Sequence, residues 1–266
     1  MELLVCIKQV PDTSEIKLDP ETNTLIRTGL PSIVNPFDMN ALEAALKVKD
    51  TYPGTRVSVI TMGPPQATIA LKECISMGAD EAYLITDRAF AGADTLATSY
   101  TIARAIAKVQ DDQGKPFDII FCGKQAIDGD TAQVGPQIAE ELGIPQVTYV
   151  CNIEVNDGIV RTQREHEEGF EVLDTPVPML MTAVKTLNEP RYPTLHHSIR
   201  ATQYEVKLIT ANDMETDPKR LGLQGSPTRV RKVYSPPMRS AGTMLTGPVQ
   251  ESVETILGVL KQKELI

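Results

Sequence analysis

Residues 122–136 hold the densest set of groups in the chain that could contact a ligand. The run follows an apolar, strand-like segment and leads into a helical pattern. Gly123 and Gly129 would let the backbone approach a ligand closely. Asp130 or Thr131 is expected to cap the helix. The free first-turn amides would then be those of Thr131, Ala132, Gln133 and Val134. A helix start of this kind favours a phosphate or pyrophosphate.

Side chains in the same run could complete a nucleotide site. Lys124 could add positive charge beside the anion, and Asp128 could accept hydrogen bonds from ribose hydroxyls. The glycine spacing matches neither the G-x-x-x-x-G-K-[ST] loop nor the G-x-G-x-x-G fingerprint. A plain capped helix therefore remains an alternative for this run. Asp128 and Asp130 have no neighbours that would complete a metal site, and no metal is expected.

Three further turns are expected at the same edge of the fold. Gly92–Thr98 places Thr95 and Thr98 one helical turn apart, where both hydroxyls could contact a polar ring or a phosphate. Asp94 in this turn could equally be a simple helix cap. The other two turns are Lys8–Asp12, which includes Gln9, and Thr61–Pro65, which includes Met62 and Gly63. Convergence of four turns favours one shared ligand site.

The elements that would position these turns alternate between strand and helix patterns. Short apolar strands are predicted at residues 3–7, 56–62, 82–86 and 117–122. Helices are predicted after Asn35-Pro36, after Pro64-Pro65, after Asp94-Thr95, and over Thr131–Leu142. Such alternation predicts an α/β fold, a parallel sheet flanked by helices of the Rossmann-like, adenine-nucleotide-binding kind. Ligands in these folds bind at the carboxyl ends of the strands.

The pattern changes after residue 146. Residues 147–155 and 159–164 flank Asn156-Asp157-Gly158 and predict a hairpin. Prolines then become frequent, residues 219–239 carry six basic and no acidic residues, and a last helix is predicted over residues 249–265. We predict a domain over residues 1–189. Residues 190–266 are interpreted as an extended arm with a terminal helix that packs on a partner, with a solvated loop region as the alternative.

Composition excludes several classes of protein. A net charge of −9 argues against nucleic-acid binding. The four cysteines show no CxxC spacing and are expected to be reduced in a cytoplasmic location. No apolar run approaches the roughly 20 residues of a membrane span, and no signal peptide is expected. No hydrolytic motif is present, so no catalytic side chain is proposed and a bound cofactor is expected to perform any chemistry.

The sequence resembles the β (small) subunits of electron-transfer flavoproteins over nearly its whole length. The matching segments are Val5–Asp12, Asn35–Asp38, Thr61–Pro64, Gly78–Glu81, Gly123–Asp128, Asn188–Leu195 and Pro236–Gly242. The resemblance implies a nucleotide-binding α/β domain and a C-terminal arm wrapped on an α subunit. It carries the family's nucleotide-binding positions onto Cys6, Asn35, Pro36, Phe37, Asp38, Met62 and residues 123–134, which include Lys124, Gln125 and Ala126. It also makes residues 188–195 a docking loop for an acyl-CoA dehydrogenase, with Leu195 as its apolar anchor and Tyr192 beside it.

Three segments resemble the electron-bifurcating group within that family: Lys8–Asp12, Ala91–Ser99 and Asp128–Pro136. The resemblance implies FAD in this subunit, NADH as electron donor, and two acceptors. These are ferredoxin or flavodoxin, and an acyl-CoA dehydrogenase or reductase reached through the α-subunit FAD. Lys8, Thr95, Thr98 and Gln125 are the expected flavin-tuning residues, and Gly92 and Ala93 are expected to leave room for the ring.

Three alternatives stay open at this point. The first is a non-bifurcating subunit that binds AMP and shuttles electrons from acyl-CoA dehydrogenases. The second is a nucleotide-sensing module without a redox role, which would need neither the docking loop nor the basic arm. The third is an adenylating enzyme, which is disfavoured because the sequence has no dedicated pyrophosphate loop.

Overall fold

A computed structural model describes residues 1–12, 32–231 and 242–266. It divides into two compact units, Met1–Arg231 and Lys232–Ile266. Residues 236–241 of the Pro236–Gly242 match lie outside the described residues. The first unit extends beyond residue 189 because α5, β11 and the following turns bury apolar side chains such as Ala201, Ile209 and Leu221.

The first unit is built on a nine-stranded sheet. Its parallel strands are β1 (Glu2–Cys6), β4 (Arg56–Met62), β5 (Glu81–Ile85), β6 (Ile119–Gly123), β7 (Gln146–Asn156), β10 (Met179–Ala183) and β11 (Lys207–Ile209), and β8 (Ile159–His166) and β9 (Gly169–Pro176) extend β7 in antiparallel fashion. The order is β11-β5-β4-β1-β6-β10-β7-β8-β9. A separate two-stranded sheet joins β2 (Gln9–Pro11) to β3 (Ser32–Val34). The predicted α/β class is therefore confirmed.

Helices cover both faces of the sheet. They are α1 (Pro36–Thr51), α2 (Thr68–Met77), α3 (Thr95–Gln113), α4 (Val134–Leu142) and α5 (Leu195–Gln203). Leu42, Leu71 and Ala201 pack α1, α2 and α5 on one face. Ile106 and Ile138 pack α3 and α4 on the other. Strands buried on both faces read as continuous apolar runs, which is why the pattern at Glu2–Cys6 was recognisable.

The predicted strand boundaries lie within two residues of those in the structure, but the start of the fourth helix differs by more. Asp94 caps α3 as expected, since its side chain accepts the amides of Leu96 and Ala97. The fourth helix begins at Val134, with Gln133 before it, and neither Asp130 nor Thr131 caps it. The prediction of a cap at residue 130 or 131 was wrong because Asp130 and Ala132 have positive φ values of 57° and 53°, which a helix cannot contain.

The second unit contains the helix α6 (Val249–Gln262). It confirms the predicted terminal helix, which ends three residues earlier than expected. Its apolar residues recur at helical spacing and are all at least partly exposed, among them Val249, Val253, Ile256 and Leu257. No helix among residues 1–12, 32–231 and 242–266 has the length and apolar character needed to cross a membrane.

Candidate nucleotide site

The order of the strands reverses beside β1. The chain passes from β1 through α1 to β4 on one side, and later returns through α3 to β6 on the other side. Crevices at such a reversal, outside the carboxyl ends of the strands, are where open α/β sheets bind ligands. The two loops that flank this crevice follow β1 and β6, and both were singled out from the sequence.

A buried carboxylate ties the two loops together. Asp38 Oδ2 accepts the amide of Lys8 at 2.7 Å, and Oδ1 accepts the amide of Gly123 at 3.1 Å. A Cβ at residue 123 would overlap Asp38 Oδ1 and lie 2.8 Å from the Phe37 carbonyl carbon. Glycine at 123 is thus required by the Asp38 contact. At Gly129 a Cβ would meet nothing within 4 Å, so no contact in the described part of the chain requires glycine at this position.

Burial controls the protonation of Asp38. Loss of water around the carboxyl raises its pKa from 3.8 to about 7, against the lowering effects of its hydrogen bonds and of the Lys8 ammonium. The carboxyl that joins the two crevice loops therefore has a pKa near neutral.

Asn35 shapes the loop after β6. Its side chain makes no capping bond to α1. Instead its Nδ2 donates to the carbonyl of Gln125 at 2.9 Å, and its Oδ1 accepts the amide of Ile127 at 3.2 Å. Asn35 and Asp38 therefore place the first turn of α1 against both crevice loops.

Four consecutive backbone amides, those of residues 131–134, lie in the irregular segment that leads into α4. Asp130 and Ala132 adopt left-handed conformations, while Gln133 is right-handed. Within the described part of the chain, no backbone or side-chain atom accepts the amides of Thr131, Ala132, Gln133 or Val134. Alternating conformations of this kind form concave nests of N–H groups that bind anions. Non-glycine residues with positive φ cluster at binding sites because the strain must be compensated. The predicted free amides are thus present, although the helix starts later than expected.

Charged side chains bridge the crevice. Lys8 Nζ lies 2.6 Å from Asp128 Oδ1, with the Asp128 side chain mostly shielded from solvent. The Gln125 side chain donates to Asp130 within its own loop, and the turn is closed by the Ala126 carbonyl, which accepts the amides of Gly129 and Asp130. Lys8 and Asp128 therefore meet at the mouth of the crevice.

Lys124 points to a different place from the one expected. Its ammonium lies 4.9 Å from the centre of the Tyr149 ring, and its amide donates to Ala183 on β10. Tyr149 has a φ of 59° at an irregularity in the pairing of β7 with β10, where its amide donates to Thr182 Oγ1 at 3.0 Å. A bulge commonly re-aims a side chain. Lys124 therefore lies over β7 and β10, away from the Lys8–Asp128 pair.

The start of α3 meets the loop before α4. Thr95 Oγ1 donates to Gln133 Oε1 at 3.0 Å, and one turn later Ser99 Oγ donates to Gln137 Oε1 at 3.2 Å. Thr98, on the same face as Thr95, is partly exposed. The Thr95 contact brings the Gly92–Thr98 turn to the amide nest, as the sequence predicted.

Asp94 is fully engaged within the protein. One carboxylate oxygen caps α3, and the other accepts the amide and the hydroxyl of Thr228 at 3.0 and 2.8 Å. Although partial burial acts to raise its pKa, these hydrogen bonds hold the pKa of Asp94 below its ordinary value. The space beside Gly92 is taken by Leu223, whose Cβ would lie 3.2 Å from a Cβ at residue 92.

The remaining predicted positions surround the same edge. Cys6 and Cys122 are buried neighbours on β1 and β6. Gln9 begins β2, Met62 ends β4, and the amide of Gly63 donates to the carbonyl of Ile85. Phe37 is covered by the Lys185 ammonium at 5.1 Å. No local pattern indicated Tyr149, Lys185 or Thr228, because each reaches the edge through long-range packing.

The predicted docking loop lies on the surface of the first unit. Tyr192 is 91% exposed and Leu195 is 79% exposed. Leu195 is the first residue of α5, which Thr194 caps through the amide of His197. Among the described residues, no cluster of three or more His, Cys, Asp or Glu side chains could hold a metal ion.

The chain is similar to several known proteins. The family model for the electron transfer flavoprotein domain matches residues 22–214. The chain is 54% identical to the electron transfer flavoprotein subunit beta of Megasphaera elsdenii, over 92% of this chain and 91% of that one. It is 52% identical to the subunit of the same name from Clostridium acetobutylicum, over 100% of both chains. It is 51% identical to the caffeyl-CoA reductase-Etf complex subunit CarD of Acetobacterium woodii, again over 100% of both.

Proposed function

Because the chain belongs to the β subunits of the electron transfer flavoprotein family, we propose that it binds FAD in the crevice between β1 and β6 and serves an electron-bifurcating complex. The amide nest at residues 130–134 carries this proposal. Four N–H groups that have no acceptor in the described part of the chain lie beside the reversal of strand order, and they fit the pyrophosphate of a dinucleotide. FAD would supply hydride acceptance from NADH and one-electron transfer to two acceptors.

The protein's own residues would bind and orient that group. The nest would hold the pyrophosphate, while Lys8 and Asp128 would face the sugar or ring that lies between the two loops. Thr95, held by Gln133, would present its hydroxyl oxygen at the α3 side. Asp94 and Lys124 are assigned structural roles in this proposal, because their side chains are engaged with Thr228 and Tyr149.

The proposed complex pairs this chain with an α subunit that carries a second FAD. Electrons from NADH would pass to ferredoxin or flavodoxin and, through the α-subunit FAD, to an acyl-CoA dehydrogenase or reductase. The relative named as a subunit of a caffeyl-CoA reductase-Etf complex supports the last partner by similarity. The exposed Tyr192 and Leu195 would dock it, since hot spots are commonly large side chains that fill a partner pocket. A cytoplasmic location stays a prediction.

The first test is a cofactor count on the complex purified with its α subunit. Acid extraction and chromatography give FAD and AMP per heterodimer. Two FAD and no AMP are expected, followed by NADH-driven reduction of ferredoxin. One FAD and one AMP would overturn the bifurcating assignment and make the chain a simple electron shuttle. Failure to co-purify with any flavoprotein subunit would contradict the family role itself.

A further inference from the structure

The docking loop, residues 188–195, is anchored to helix α1 at two points. Asn40 Nδ2 donates to the carbonyl of Asn188 at 2.7 Å, and Asn188 Nδ2 donates back to the carbonyl of Asn40 at 3.0 Å. Asn40 is buried. This reciprocal pair fixes the start of the loop.

The second anchor is an ion pair in the middle of the loop. Glu43 on α1 is only 3% exposed. Its Oε2 accepts the backbone amide of Arg191 at 3.1 Å and Nε at 2.8 Å, and its Oε1 accepts Nη2 at 3.1 Å. Arg191 Nη2 also lies 2.7 Å from Asp50. The hydrogen bonds to Glu43 make the largest contribution to raising the pKa of Arg191, and the contact with Asp50 raises it further. A forked guanidinium binds a carboxylate in one orientation, which lysine does not reproduce.

Two large side chains near Arg191, those of Tyr192 and Leu195, are exposed to solvent. Tyr192 follows Arg191 directly, Pro190 and Pro193 fix φ on either side, and Leu195 stands at the start of α5. The far end of this segment is also fixed, because Arg200 donates to the carbonyl of Ala79 at 3.1 Å. Two large exposed side chains are thus carried by a backbone that is tied down on both sides of them.

We propose that Arg191 is a positioning residue for docking, which holds residues 188–195 in their binding conformation before the partner arrives. This rests on the proposed docking role of Tyr192 and Leu195. Ordering a flexible loop on binding costs affinity, so a loop that is already ordered binds more tightly with the same contacts. Arg191 points inward to Glu43, and its effect on the partner is exerted through the loop.

The test uses Arg191→Lys in the full complex with the α subunit. Lysine keeps a positive charge beside the buried Glu43, so the fold survives, but it loses the fork. With an acyl-CoA dehydrogenase as the varied substrate, we expect KM to rise about tenfold with kcat unchanged, because ordering is then deferred to binding. Hydrogen exchange should become faster at the amides of residues 188–195, while FAD content stays the same.

Two companion variants separate the possible outcomes. Leu195→Ala removes the proposed anchor and should raise KM without changing hydrogen exchange. Arg161→Lys breaks a comparable fork to Asp174, with both contacts at 2.7 Å, on the hairpin β8–β9, and should leave KM unchanged. If Leu195→Ala raises KM and Arg191→Lys does not, the positioning role is overturned and docking stands. If Leu195→Ala has no effect, the docking role fails and the positioning role with it. An equal rise in KM for Arg161→Lys would also overturn the positioning role.

Discussion

Gly123 and Asp38 lie so close together that only glycine fits at residue 123, where a Cβ would overlap Asp38 Oδ1. The same carboxylate holds Lys8 across the crevice. The carboxyl ends of strands β1 and β6, which frame the proposed nucleotide site, are therefore linked through the side chain of Asp38 on α1.

Gly123→Ala tests that contact. We expect destabilisation of about 1–3 kcal/mol from overpacking, together with loss of bound nucleotide, because the loops must separate to admit the methyl group. Urea unfolding and cofactor extraction measure the two effects. Gly258→Ala is the control, since a Cβ there meets nothing within 4 Å and alanine favours a helix. If the two variants had equal unfolding free energies and equal nucleotide content, glycine would not be required at residue 123.

Asp38→Asn should change how stability depends on pH. The folded pKa of about 7 lies above the ordinary value of 3.8, so between these values the folded protein holds a proton that the unfolded chain has lost. The stabilisation is full below about pH 4 and falls as pH rises towards 7, by an amount on the order of 4 kcal/mol. Asparagine does not titrate, so the difference in unfolding free energy between wild type and Asp38→Asn should shift in favour of the variant from pH 5 to pH 8.

The matched control is Asp118→Asn. Asp118 accepts the amide of Glu2 at 2.8 Å, and so joins β1 and β6 at their opposite ends. This variant makes the same chemical change at the other end of the same two strands, and so controls for the loss of a carboxylate that accepts a backbone amide. A wild-type profile that runs parallel to that of Asp38→Asn would show that the Asp38 carboxyl does not titrate in this range.

Thr95→Ala and Asp128→Ala should each lower the FAD content of the β-subunit site. The first removes the hydroxyl held by Gln133, and the second leaves Lys8 without its partner at the mouth of the crevice. Flavin per heterodimer after gel filtration is the measurement. Asp112→Ala, which breaks the surface pair with Lys108, is the control. Full flavin content in both variants would remove Thr95 and Asp128 from the site.

The apolar face of α6 should be needed for pairing with the α subunit. Val253→Asp and Ile256→Asp place charge on that face and should reduce co-purification, because burying an unpaired carboxylate is costly. Thr255→Asp lies on the opposite side of the helix and should pair normally. Undiminished co-purification of all three variants would assign α6 another role.

Much of the first unit was predictable from local pattern. β4 was predicted with its observed bounds, because Arg56–Met62 is a short apolar run with turn formers on both sides. The hairpin of β7 and β8 followed from Asn156-Asp157-Gly158. Both signals lie within a few residues of the elements that they predict.

The features that the sequence did not predict depend on packing between residues that are far apart in the chain. β10 is buried throughout and lies between β6 and β7, a place that nothing in the short run Met179–Ala183 specifies. The sequence predicts a capped helix start instead of the nest at residues 130–134, because Asp130 and Thr131 are good capping residues. The actual shape of the nest depends on Asn35, almost a hundred residues earlier, which holds the start of the same loop through Gln125 and Ile127. The sequence indicated which residues lie along this edge of the sheet more reliably than it indicated their conformations.

Helix α1 supports both of the proposed functional surfaces of the first unit. Asn35 and Asp38 meet the crevice loops at its start, and Asn40 and Glu43 hold the docking loop within the next two turns. The distance between the two surfaces along α1 is therefore set by the rise of the helix, about 1.5 Å for each residue. An insertion or deletion in this stretch would rotate one surface relative to the other by about 100° per residue. We therefore expect α1 to tolerate changes of side chain on its solvent face and no change of length between Asn35 and Glu43.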